Sequence, residues 1–195
     1  MPQFGLRGIK VAKYVNTNGT ISYTNLQEVG KAMQANFELR RAEGRLYAED
    51  GLAEYMTSAT GGTVSLGVAY IKDAAQKLMF GMTDKTRSVT PTGGSATSVT
   101  GLALSTKSEG VYVGLGFYCP AMKDGEKVFW CCRIAKALFG PPSMSLQTKG
   151  ENIVFNTPTT NGEMLMDDSD NALLYESAYV DAEATAIAWV DAALT

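Results

Sequence analysis

Residues 33–40 read MQANFELR, and residues 63–81 read TVSLGVAYIKDAAQKLMFG. In the first stretch Met33, Ala35, Phe37 and Leu39 alternate with Gln34, Asn36, Glu38 and Arg40. A period of two is the mark of a strand with one apolar and one polar face. Val64, Leu66, Val68 and Tyr70 repeat it. The period then changes. Ala75, Leu78 and Met79 fall at i, i+3 and i+4, one face of a short helix over residues 72–80. Asp73 sits in its first turn, where the helix dipole favours an acid, and Gly81 follows as the C′ residue. So short a helix is not stable alone and must pack on a sheet. Between the two strands, residues 41–62 are too many for a tight turn and too charged for a core. They read as a long loop, within which residues 45–48 can continue the first of the two strands, and as the part of the chain placed to touch something else.

Working outward, residues 8–15 form a first strand with Ile9, Val11 and Tyr14, and residues 20–24 return after the turn Asn16-Thr17-Asn18-Gly19. Residues 82–100, rich in Thr, Ser and Gly and containing Pro91, read as a second loop, followed by a weak strand over 101–105. Residues 110–119 are a strong strand. Lys123-Asp124-Gly125-Glu126 is a turn, and residues 128–134 return with Val128, Trp130, Cys132 and Ile134 on one face. Met144–Lys149 and Asn152–Asn156 flank Gly150, and Pro158 starts a loop ending at Gly162. Residues 163–166 and 173–179 are expected to pair with each other across a solvated acidic turn at 167–171. Asp181 is placed to cap a terminal helix with Ala184, Ile187, Ala188 and Val190 on its apolar side. No linker divides the chain and no repeat is present. Residues 1–195 read as a single mainly β domain of roughly eight to ten strands. A β-sandwich or partly closed barrel is expected, with a short flanking helix and a short C-terminal helix.

Composition narrows the function. The chain has 195 residues, enough for one sizeable core. Charged residues make up 19%, below the roughly 25% of a typical soluble domain. Net charge is −3, and all 17 Lys and Arg lie at or before Lys149, whereas the acids from Glu151 to Asp191 have no base among them. Opposite signs on different faces are one consequence; a solvated acidic edge is the other. No dense basic stripe suggests tight phosphate binding. With no histidine, Ser-His-Asp, Cys-His and His-based metal sites are excluded. Cys119, Cys131 and Cys132 do not make a disulfide framework, and neighbours on a strand face opposite sides, so Cys131 and Cys132 cannot readily share a metal. They read as reduced, mostly buried thiols. Arg7, Lys10 and Lys13 interrupt the apolar residues near the N-terminus, unlike a signal peptide. No run of 18 apolar residues suggests membrane insertion.

Reactive constellations are weak. Glu49-Asp50 precedes Gly51 and reads as a turn. Asp167-Asp168-Ser169-Asp170 lacks the glycine and distal Glu of a calcium loop, and no glycine run matches a phosphate loop. Trp130 and Trp189 read as core. Tyr112 and Tyr118 share a strand face with Gly114 and Gly116, which leaves a non-catalytic carbohydrate-binding β-sandwich as the alternative to a structural subunit. An enzyme would need a pair of carboxylates in a cleft. No catalytic residue, metal or cofactor is expected.

The order of a strand, EGRLYAEDG (43–51), GGTVSLGVAYI (61–71) and a helix ending in Gly81 resembles the major tail protein family of long-tailed, non-contractile bacteriophages. Leu46-Tyr47-Ala48-Glu49-Asp50 is similar to that family's FYADN-type stretch. The hairpin over 110–134 and the closing NTPTTNGEML (156–165) and DAEATAIAWVDAAL (181–194) are also similar. The 82–100 loop and the Cys131-Cys132 pair have no counterpart. The resemblance implies a virion tail-tube subunit, assembled in the host cytoplasm into stacked, six-membered rings that conduct DNA without specific binding. Its partners would be copies of itself, with tape-measure and tail-terminator proteins. Gln34, Asn36, Glu38 and Arg40 would face the lumen. Arg41, Glu43, Arg45, Tyr47, Glu49, Asp50, Glu54 and Tyr55 would contact neighbouring subunits or rings.

Overall fold

The computed structural model describes residues 2–148 and 155–195. Strands β1 (Arg7–Thr17) and β2 (Thr20–Glu28) form a hairpin through Asn18 and Gly19, whose φ of 53° and 86° give the left-handed two-residue turn that Asn-Gly favours. Strands β3 (Ala32–Ala48) and β4 (Gly51–Val68) pair along their whole length. Helix α1 (Asp73–Phe80) ends at Gly81, left-handed at φ 65°. Strands β5 (Thr83–Val89) and β6 (Thr97–Ala103) form a separate hairpin. Strands β7 (Val113–Lys123) and β8 (Glu126–Phe139) turn at Asp124-Gly125. Strands β9 (Thr159–Leu165) and β10 (Tyr175–Val180) precede helix α2 (Glu183–Ala193).

One sheet carries the fold, in the order β2-β1-β7-β8-β9-β4-β3. β8 shares one of its edges between two strands: residues 129–134 pair with β10, and residues 136–139 with β9. This corrects the expected pairing of 163–166 with 173–179, and β9 begins within the stretch expected to be loop. The sheet bends until β1, β7, β8 and β4 surround one core. Ile9, Val11, Leu115, Ile134, Val64, Leu66 and Val68 meet there, with Leu78, Met79 and Phe80 of α1 packed among them. Burying each large aliphatic of this set contributes about 1.5–3 kcal/mol. No barrel closes. Among the described strands, β2 and β3 end the order without a ladder between them. The fold is therefore mainly β, one curled sheet with two short helices.

The central strands are buried on both faces. Cys132 belongs to the first core, and Cys131 to a second one on the sheet's other side, where Ala186 and Val190 of α2, with Leu194 just past its end, cover Ala12, Tyr14, Tyr23, Tyr118 and Phe129. Gly114 and Gly116 let α2 approach. A Cβ on Gly114 would lie 2.5 Å from the Tyr23 ring and 2.8 Å from Leu194, and one on Gly116 would lie 2.8 Å from Val190. The buried face of α2 is thus Ala186 and Val190, while Ile187 is exposed. Its N-cap is Ala182, with no side-chain cap bond, rather than Asp181.

Three further expectations change. Met33 is exposed, at 58%, because the β3–β4 register shifts between Ala32 and Gln34 and Ala32 takes the inward place. Tyr70 lies past the end of β4 and is exposed. Residues 82–100 contain most of the β5–β6 hairpin rather than a loop, with residues 90–96 as its connection. Of the segments expected to flank Gly150, residues 149–154 lie outside the described residues.

Candidate assembly surface

α2 covers the sheet's outer side over β7, β8 and β10. Over β3, β4 and β9 no described element covers that side. Inward-pointing Ala35, Phe37 and Leu39 pack on the first core, so the alternation of β3 turns Gln34, Asn36, Glu38 and Arg40 outward, all exposed. The ladders extend the polar face sideways. Asn36 sits opposite Ser65, which sits opposite Asn161; Glu38 sits opposite Thr63, which sits opposite Glu163. Together with Leu138 and Gly140 these residues line an open depression of about 780 Å³. Arg40 donates to both carboxylate oxygens of Glu163, at 2.8 and 2.6 Å, reaching across β4. Both side chains are exposed, so the pair is worth at most about 1 kcal/mol. The base on this face is therefore matched by an acid, and Glu38 leaves it weakly anionic.

Beyond Arg40 the β3–β4 hairpin leaves the body. The expected loop at residues 41–62 is a ladder running out to a two-residue turn at Glu49-Asp50, both with positive φ of 49° and 63°, between paired Ala48 and Gly51. Every residue from 41 to 60 is exposed. At roughly 3.3 Å per residue, the arm projects about 30 Å. Arg41, Glu43, Arg45, Tyr47, Glu54 and Tyr55 lie on its strands, and Glu49 and Asp50 at its tip. Arg45 ion-pairs Glu43 at 3.1 Å and lies 5.7 Å from the centre of the Tyr55 ring. Leu46, Tyr47, Leu52 and Met56 stand in solvent, Tyr47 64% and Met56 74% exposed. An isolated two-stranded hairpin is marginal in water, and nothing among the described residues packs on this apolar surface.

The acidic C-terminal segment does not form a face of its own. It folds back onto the basic first part. Arg7 donates to Glu183 at 2.6 Å, Lys10 pairs with Asp191, Arg133 lies 3.0 Å from Glu176, and Lys136 reaches Asp168 at 2.8 Å. The charge asymmetry of the sequence is thus largely a seam holding β9, β10 and α2 to the sheet. The bond from Lys136, then those from Tyr14 and Asn16, hold the Asp168 carboxyl below its ordinary range. The Arg7 bond and then that of Tyr118 do the same for Glu183. The acidic turn is built rather than solvated: Asp167, 8% exposed, accepts from Ser169 N, Ser169 Oγ and Leu173 N.

Tyr112 and Tyr118 do not form a shared platform. Tyr118 is 6% exposed beneath α2 and donates to Glu183 at 3.0 Å, whereas Tyr112 stacks on the Lys136 ammonium, 4.8 Å from its ring centre. Cys131 and Cys132 sit on opposite sides of β8, and burial pushes their thiols up to about 11 and about 12. Among the described residues no His, Cys, Asp and Glu cluster is arranged to hold a metal, and no helix is long and apolar enough to cross a membrane. The chain matches no family model and no curated protein.

Proposed function

We propose that this chain is a structural subunit of a bacteriophage tail tube, closing into stacked, six-membered rings whose lumen passes DNA. The observation that carries this reading is the β3–β4 arm, an exposed hairpin with Leu46, Tyr47, Leu52, Tyr55 and Met56 all in solvent. Long exposed apolar hairpins and open edges invite pairing with another chain, and a closed ring of identical copies satisfies both while limiting growth to one direction. The bare face of Gln34, Asn36, Glu38 and Arg40 suits a lumen. It is polar enough to be wetted, and its arginine is already matched by Glu163, so DNA phosphates find little to grip. The outer edges of β2 and β3 are the places where sister strands add. On this reading the chain resides in the virion tail, meets tape-measure and terminator proteins at the tube's ends, and performs no catalysis. Negative-stain microscopy of the purified protein tests it. Rings and tubes with a stain-filled channel are expected; a monomer that persists at high concentration contradicts it.

A further inference from the structure

The two hairpins that leave the body are complementary in chemistry. Residues 46–54, the outer half of the β3–β4 arm, read LYAEDGLAE. They hold Glu49, Asp50 and Glu54 with no base, beside exposed Leu46, Tyr47 and Leu52. The β5–β6 hairpin is the reverse. Its register places Lys85 opposite Gly101, Arg87 opposite Val99 and Val89 opposite Thr97, so these six residues share one face. That face carries two cations, no acid, and the exposed Val89 and Val99. A Cβ on Gly101 would meet nothing, so a notch stays open beside Lys85. The hairpin's one acid, Asp84, lies on the opposite face, taken by Lys77 at 2.7 Å. Every residue of β5 and of the outer arm is exposed, so neither surface is covered by the described residues of its own chain.

We propose that the acidic, apolar tip of the β3–β4 arm docks on the Lys85–Arg87 face of the β5–β6 hairpin of a second copy. Tyr47 and Leu52, paired on one face of the arm, cover Val89 and Val99, and Glu49 and Asp50 of the turn meet Lys85 and Arg87. Because the two patches differ, the contact can run head-to-tail from copy to copy, as stacked rings require. Opposed charges fix its register and speed encounter. The contact rests on the tube reading and assigns the hairpin at 83–103 as the arm's receptor.

A charge swap tests it. The full chain is made as K85E/R87E, which renders both patches acidic, and as E49K/D50K/E54K, which renders both basic. Association is followed by sedimentation velocity. Each variant alone is expected to associate at least tenfold more weakly than the unsubstituted chain. An equimolar mixture, in which every arm again meets an opposite face, is expected to recover assembly. Single variants that assemble normally, or a mixture that stays dispersed, overturn the docking while leaving tubes of the unsubstituted chain intact. Swap-dependent association into dimers or sheets without a channel overturns the tube reading and keeps the docking. An unsubstituted chain that never associates overturns both. A second measurement needs no variant: zero-length carbodiimide coupling of the assembled protein joins Lys85 to Glu49 or Asp50 of another copy. Recovery of Lys85 unmodified in assembled material contradicts the contact.

Discussion

At the scale of single residues, the absence of side chains at two positions determines how α2 seats. Tyr23 cannot swing away from a new methyl on Gly114, because its hydroxyl donates to Ala135 O at 2.8 Å and the Arg133 guanidinium stacks on its ring. Gly114→Ala therefore overpacks the second core and is expected to lose about 1–3 kcal/mol in urea unfolding. Gly44→Ala is its control. Gly44 lies in the arm with open space around it, and alanine there is expected to be neutral or slightly stabilising. The thiols give a second prediction. Burial raises Cys131 and Cys132 from an ordinary 9.0 to about 11 and about 12, and raises Cys119 as well. Their contribution to stability is complete below the ordinary thiol value and is lost as pH climbs through the folded values, because only the unfolded chain releases these protons in between. Unfolding free energy is expected to fall above about pH 9. Near pH 8 a disulfide reagent is expected to label half-buried Cys119 first, and all three thiols together only in denaturant. Equal labelling rates in the native protein would contradict the burial.

At the scale of elements, the arm and the body are separable. Gly44 pairs with Met56, so replacing residues 45–55 with Asn-Gly keeps the register and the turn geometry. The shortened chain is expected to keep its unfolding midpoint, since the removed residues bury nothing, and to lose all tube growth. Unimpaired growth would reject the arm's role. The elements also show what was legible in the sequence. Asn18-Gly19, Asp124-Gly125 and Gly81 carry their own turn chemistry and were readable at once, as was the polar row Gln34, Asn36, Glu38 and Arg40. The outer arm was not. With no face buried, residues 41–60 have no apolar period to detect; only the turn at Glu49-Asp50, signalled by Gly51, was readable, and the structure has it there. The β5–β6 hairpin hides for the same reason behind its Thr and Ser. The bulge that turns Met33 outward and the sharing of β8 between β9 and β10 depend on long-range register, which local pattern does not record. The role of Tyr118 was masked because α2, far along the chain, covers it.

At the scale of the whole molecule, the body is sealed where its own chain can seal it and open elsewhere. One core is wrapped by the curled sheet and α1, and the second is closed by α2 and pinned by the ionic seam. Among the described residues, the outer edges of β3 and β10 carry no ladder, the β2 edge is bonded at Tyr23 N to Thr195 O, and the polar face over β4 and β9 and two hairpins are exposed. β3 contributes one of these edges, the polar row and half of the longer arm. The central claim is that sister copies complete this side of the molecule. A cryo-microscopy map of the assembled protein tests it most directly. The predicted map has the β3 edge covered by a neighbouring copy and Asn36, Glu38 and Asn161 turned toward a central channel. A map with those residues on the outer wall, or with the β3 edge facing solvent, would contradict it.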